Sequence, residues 1–178
     1  GDDYAEGENY IGIDVGRKRD LTVVFILSKS GDHYYQKNLT VIKGKRFGDQ
    51  KSIISELIRS HSITRGAIDS TGIGLQLAED LHDEFYFIEP VHFNNQIKEY
   101  LVTLTKKVLE TGQITIQSDR DLINDIHNIK KTVTKAGNII FDSERTDQGH
   151  SDRFWALALA IYASQNLKNT VIDQVGIY

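Results

Sequence analysis

Three aspartates stand where apolar segments end or begin. Asp14 closes the run Tyr10-Ile11-Gly12-Ile13, Asp69 closes Gly66-Ala67-Ile68, and Asp152 opens the long apolar segment that starts with Arg153-Phe154-Trp155. A single aspartate at such a place is ordinary, because Asp favours turns and helix caps. Three that meet in one place would be different. Two unit charges about 4 Å apart repel by about 4 kcal/mol at an effective dielectric of 20, so a carboxylate cluster calls for cations. The chain has no cysteine and 6 scattered histidines. Hard oxygen ligands are what remain, and they select Mg²⁺ or Mn²⁺ over zinc. Two such ions roughly 3.5–4 Å apart can activate water and stabilise the leaving oxygen of a phosphodiester. The chemistry expected of Asp14, Asp69 and Asp152 is therefore metal-assisted phosphodiester hydrolysis.

The elements around them must bring them together. Residues 10–13, 21–27 and 33–42 read as three strands with short connections, which predicts an antiparallel meander. Helical spacing of Phe47, Ile53, Ile54, Leu57 and Ile58 follows. A strand ending at Asp69, a helix opening at Thr71-Gly72-Ile73-Gly74 and a strand over 86–91 suggest a parallel crossover. A long amphipathic helix over 94–110, a brief strand at 114–116 and a helix over 119–128 come next. A hairpin over 131–142 turns at Lys135-Ala136-Gly137-Asn138, and a final helix runs over 151–166. The order is that of a mixed α/β layered fold. If the strands ending in Asp14 and Asp69 are neighbours, their carboxylates project at one edge. The final helix carries Asp152, Ala156, Leu159 or Ala160, and Ala163 on one stripe, small enough to lie close on the sheet. Phe154 and Trp155 are expected in the core, because this helix must bury a face.

At 178 residues the chain has the length of one domain with a sizeable core. We expect residues 1–9 to be linker-derived or disordered, residues 10–166 to form the domain and residues 167–178 to be a tail. With no methionine even at position 1, and an acidic, polar beginning, the chain reads as a piece of something longer. Its 39% hydrophobic and 26% charged residues are those of an ordinary soluble protein, and no run approaches the ~20 apolar residues of a membrane span. A net charge of −4 argues against a nucleic-acid coat protein, yet permits an enzyme whose acids hold metal.

The segments IGIDVG, AIDSTGIG and GHSDRFWALALA, at the start, middle and end of the chain, resemble the ribonuclease H-like superfamily. They are specifically similar to the C-terminal nuclease domain of phage terminase large subunits, over about residues 10 to 165. The resemblance implies a five-stranded mixed sheet, three antiparallel strands and then parallel ones, flanked by helices with an appended β-hairpin. It implies an endonuclease cutting double-stranded viral DNA concatemers during packaging in the host cytoplasm, with two Mg²⁺ or Mn²⁺ ions. The implied partners are DNA, an upstream ATPase motor of the same full-length chain, the portal and the small terminase subunit, with no membrane. Asp14, Asp69 and Asp152 match the family's metal-binding acids. His150 matches a histidine that orients water, contacts the scissile phosphate or approaches a metal. Asp20 matches a further acid and ranks below the trio.

Lys106, Lys107, Lys130, Lys131 and Lys135 are candidate phosphate contacts, each of which would steepen the salt dependence of DNA binding. Three rivals share these features, one of them a non-enzymatic DNA-binding or assembly module whose acids have only structural roles. A Holliday-junction resolvase or transposase-like nuclease of the same fold would cut branched DNA far better than linear duplex. A sugar-kinase or actin-like ATP-binding lobe would bind ATP, but those enzymes close two lobes around it and need about twice this length.

Overall fold

The structure, a computed structural model, describes residues 7–16, 21–142 and 151–165. In chain order it contains β1 (Glu8–Asp14), β2 (Thr22–Ser30), β3 (His33–Ile42), α1 (Phe47–Ser60), β4 (Ile63–Asp69) and α2 (Gly74–Glu84). These are followed by β5 (Ile88–Val91), α3 (Asn95–Glu110), β6 (Ile114–Thr115), α4 (Arg120–His127), β7 (Lys130–Val133), β8 (Ile139–Asp142) and α5 (Asp152–Ala163).

The first three strands form the expected meander, β1 antiparallel to β2 and β2 antiparallel to β3. On the other side of β1 the sheet becomes parallel, through β4 and then β5. The main sheet has six strands in the order β5-β4-β1-β2-β3-β6, one more than the five expected. The extra one is the brief strand at 114–116, whose Ile114 and Thr115 add in parallel to the β3 edge opposite Tyr34 and Tyr35. A stretch so short carries too little alternation to reveal a sheet neighbour. The hairpin β7–β8 forms a separate two-stranded sheet, turning through Gly137 at φ +84°.

Period-two alternation divides the core between the two faces of the sheet. Ile11 and Ile13 of β1 and Ile68 of β4 pack with Ile54 and Ile58 of α1 and Leu77, Ala78 and Leu81 of α2. The opposite face takes Val23, Phe25 and Leu27 of β2, with Tyr10 and Ala67, against α3, α4 and α5. Every residue of α5 is buried, which is why its apolar residues run all round the helix instead of along one stripe. Phe154 and Trp155 lie in this core as expected, their rings edge to face at 5.1 Å.

Gly12 decides how closely α5 approaches. A β-carbon at Gly12 would overlap the Ala156 carbonyl oxygen and the Ala160 amide nitrogen, so helix backbone rests directly on strand backbone there. The alanine stripe read from the sequence supplies the other half of that contact.

Candidate metal centre

The same alternation aims the acids. Asp14 is two residues beyond Gly12 and Asp69 two beyond Ala67, so both carboxylates leave the sheet on the face that α5 covers. Gly12 pairs with Ala67 and Ile13 with Ile68 in parallel register. Continued by one rung, that register sets Asp14 beside Asp69. Asp152 starts α5, one helical turn before the Ala156 that rests on Gly12. The acids are thus delivered by two neighbouring strand ends and one helix start.

All three are buried, at 6%, 9% and 6% exposed for Asp14, Asp69 and Asp152, and their electrostatics show a shared field. Burial first, then the charges of Asp152 and Asp69, and then a hydrogen bond with Asp152 hold the Asp14 carboxyl well above the usual carboxylate range. A hydrogen bond between two carboxyl groups needs one proton between them. Asp69 is also raised by burial, against the opposing pull of Thr71. The Thr71 amide donates to Asp69 Oδ1 at 2.8 Å, and the Thr71 hydroxyl accepts from the Phe93 amide at 2.8 Å. Asp69 is thereby tied to the segment between β5 and α3. Gly72, at φ +56°, turns the chain towards α2 in a left-handed conformation that a side chain rarely adopts.

Among the described residues, no group of three or more His, Cys, Asp or Glu side chains is already closed to metal-ligating spacing. Asp14 is hydrogen-bonded with Asp152, while Asp69 accepts from the Thr71 amide. The donor set fits hard divalent ions. It consists of oxygen donors alone, and their mutual repulsion and burial are what a cation would relieve.

Two basic side chains near the acids escaped the sequence reading. Lys98, in the first turn of α3, lowers both Asp14 and Asp69, and His92 lowers Asp69. The Lys98 ammonium lies 5.6 Å from the centre of the Trp155 ring, and Trp155 is one turn after Asp152 on α5. The side chain of Asn94 caps this helix by accepting from the Ile97 amide at 2.8 Å. The lysines chosen from the sequence lie elsewhere. Lys106 pairs with Glu110 at 3.7 Å, and it and Lys107 sit eight and nine residues beyond Lys98, about 12 Å further along the helix. Lys130, Lys131 and Lys135 are exposed on the hairpin or its turn. Asp20 and His150 lie outside the described residues.

The chain's sequence matches, over residues 11–164, the family described as the terminase RNaseH-like domain. The chain belongs to that family. The large terminase subunit of Thermus phage G20c is 26% identical to this terminase domain over 161 residues, covering 89% of this chain and 32% of the relative. The domain therefore spans about a third of that relative's length. The crystal structure of the large terminase nuclease from thermophilic phage G20c with bound magnesium superposes with a TM-score of 0.77 at 23% identity, covering 89% of this chain and 82% of that one. The large terminase of thermophilic bacteriophage D6E, in complex with ATP-gamma-S, superposes at 0.67 and 10% identity over 89% of this chain and 40% of its own. These likenesses show the ribonuclease H-like fold.

The raised carboxyls set a sign for pH. A group whose folded pKa lies above its unfolded value retains protons in the native state, so stability falls as pH rises from the unfolded value towards the folded one. The metal-free terminase domain is therefore expected to lose thermal stability as pH climbs out of the ordinary carboxylate range. A cation held by these acids would replace the proton and remove this penalty. At a hundredfold excess over its dissociation constant, Mg²⁺ should stabilise by about 2.7 kcal/mol, roughly 5–10 °C in midpoint for a chain of this size. Thermal melts at about pH 5.5 and about pH 8 check this: the metal shift should be larger at the higher pH, and equal shifts would contradict it.

Proposed function

We propose that this terminase domain is a metal-dependent endonuclease that cleaves double-stranded viral DNA concatemers during genome packaging, with Asp14, Asp69 and Asp152 holding two divalent ions. The observation that carries the reading is the burial of these three acids in one field, with Lys98 at its edge. Bound there, Mg²⁺ or Mn²⁺ would lower the pKa of a water and neutralise charge developing on the phosphate.

The chain's own residues do the rest. Asp14, fixed by the sheet, and Asp152, fixed by α5, face each other across the β1–α5 contact. Asp69 is held by the Thr71 amide, so its position is set before any ligand arrives. Lys98, steadied over the Trp155 ring, offers a positive group to a phosphate oxygen beside the acids. Replacing Lys98 by Ala should reduce DNA cleavage about 10-fold or more without weakening Mn²⁺ binding, because a competing positive charge leaves the acids. Cleavage assays and calorimetric Mn²⁺ titration would read the two effects separately. The exposed lysines of the hairpin are additional backbone contacts that position a duplex without reading its bases.

In this reading the domain acts in the host cytoplasm behind an ATPase motor of a longer chain, with the portal and the small terminase subunit as further partners. The relatives support it by their length and by the nucleotide held in the phage D6E protein. The decisive experiment incubates supercoiled plasmid with the chain and Mn²⁺, beside an Asp69→Asn variant. Nicking by the wild type alone is expected, and equal nicking by both would reject the assignment.

A further inference from the structure

The start of α5 is unusual in how it is held. Its N-cap residue, Ser151, adopts φ +57° and ψ +32°, a left-handed conformation, and its side chain makes no capping bond. An N-cap normally has extended dihedrals, and its side chain accepts a hydrogen bond from the second or third helical amide. Here a different helix does that work. The Asp125 carboxylate of α4 accepts from the Arg153 amide, the second of α5, at 3.0 Å. The same oxygen receives the Arg153 guanidinium at 3.5 Å, and Asp121, one turn earlier on α4, lies 3.8 Å from another guanidinium nitrogen. The Ser151 hydroxyl donates to the Asp125 main-chain carbonyl at 3.0 Å, which accounts for the side chain's absence from the cap. Asp125, Ser151 and Arg153 are all buried.

We infer that Asp125 is the positioning residue of Asp152: by capping α5 from α4, it fixes the first turn of the helix and with it the carboxylate aimed at Asp14. Asp152 sits between the two anchored residues, Ser151 on one side and Arg153 on the other. Its backbone has little freedom once both are tied to Asp125. The second amide of a helix has no intrahelical acceptor, so the bond to Asp125 supplies a partner the helix does not. A carboxylate at a helix N-terminus is also favoured by the helix dipole. Burial raises the Asp125 carboxyl, the Arg153 amide and guanidinium lower it, and the charge of Asp152 adds a smaller upward push that agrees with the closeness of the two. Groups that orient a metal's ligands typically change metal affinity 10–100-fold when removed.

The inference rests on Asp152 as a metal ligand, so its test separates the two ideas. Mn²⁺ is titrated calorimetrically into the metal-free 178-residue chain, as wild type, Asp125→Ala and Asp125→Asn. Amide hydrogen exchange at Arg153 is followed in the same metal-free proteins. Asp125→Ala, with unchanged circular dichroism, should bind Mn²⁺ at least about 10-fold more weakly, and its Arg153 amide should exchange at least about 10-fold faster. Asn keeps an oxygen for that amide, so Asp125→Asn should restore both quantities to within about threefold of wild type. If Asp125→Ala binds Mn²⁺ as wild type does, or Asp125→Asn is as weak as Asp125→Ala, the inference is overturned. Should Asp125→Ala fail to fold, Ser151→Ala takes its place. Losing the hydroxyl bond should accelerate Arg153 exchange and weaken Mn²⁺ about threefold, and no change in either overturns the inference. Absence of any Mn²⁺ binding by the wild type would defeat the metal-site reading, and the exchange comparison would still decide whether Asp125 caps α5.

Discussion

Replacing Asp14 by Asn is expected to move activity and stability in opposite directions. DNA cleavage should fall roughly a thousandfold, since loss of one anionic ligand forfeits several kcal/mol of charge stabilisation and each 1.36 kcal/mol is a factor of ten. The metal-free protein should meanwhile become more stable. Asp14 is a buried carboxyl pressed by Asp152 and Asp69, and Asn can donate to Asp152 without needing a shared proton. Relief of one repelling charge should contribute on the order of 1 kcal/mol, about 2–4 °C for a chain of this length. The gain should be visible near pH 8 and should vanish in acid, where the native pair already holds its proton. Thermal melts and plasmid cleavage on the same preparation test both halves. A variant that still cuts normally would remove Asp14 from the site, and one that melts lower without metal would contradict the repulsion.

The second large effect concerns a residue with no side chain. Gly12→Val should destabilise by about 3 kcal/mol or more, a fall of roughly 6–12 °C in midpoint, and should abolish metal-induced stabilisation. Most overpacking is absorbed by side chains that change rotamer. At Gly12 the obstructing atoms are the Ala156 oxygen and Ala160 nitrogen, which are helix backbone, so α5 itself must lift away. Lifting α5 separates Asp152 from Asp14, coupling the packing defect to the site. Gly48→Ala provides the contrast, because a β-carbon there meets nothing within 4 Å and alanine favours the helix. Thermal melts with and without Mg²⁺ would distinguish them. A Gly12→Val protein as stable and as metal-responsive as wild type would mean that α5 does not rest on β1 as described.

How far the chain could be read depended on the range of the interaction. Asp14 and Asp69 announced themselves because a charge closing an apolar strand is a local anomaly, and strand periodicity fixes which face it leaves. The Ala156 and Ala160 stripe was likewise visible as helical spacing of small residues. Lys98 was not distinguishable from Lys106 or Lys107, since all lie on one amphipathic helix and a solvated face accounts for any of them. What separates Lys98 is its place beside Trp155, a contact between α3 and α5. Asp125 was hidden for the same reason: within its own helix it is one more acid, and its task is set by an amide 28 residues away. The two-residue strand β6 shows the converse limit, a partner in the sheet too short to leave a pattern.

The seat that Gly12 offers to α5 also bears on timing. The groove is made by β1, the first described strand, while its occupant, α5, is the last described helix and so is synthesised after both strand acids. Until that helix docks, a growing polypeptide has two of its acids in place and lacks the third. In the proposed nuclease, cutting power is thus withheld from the nascent chain by the order of its own residues, with no inhibitor required.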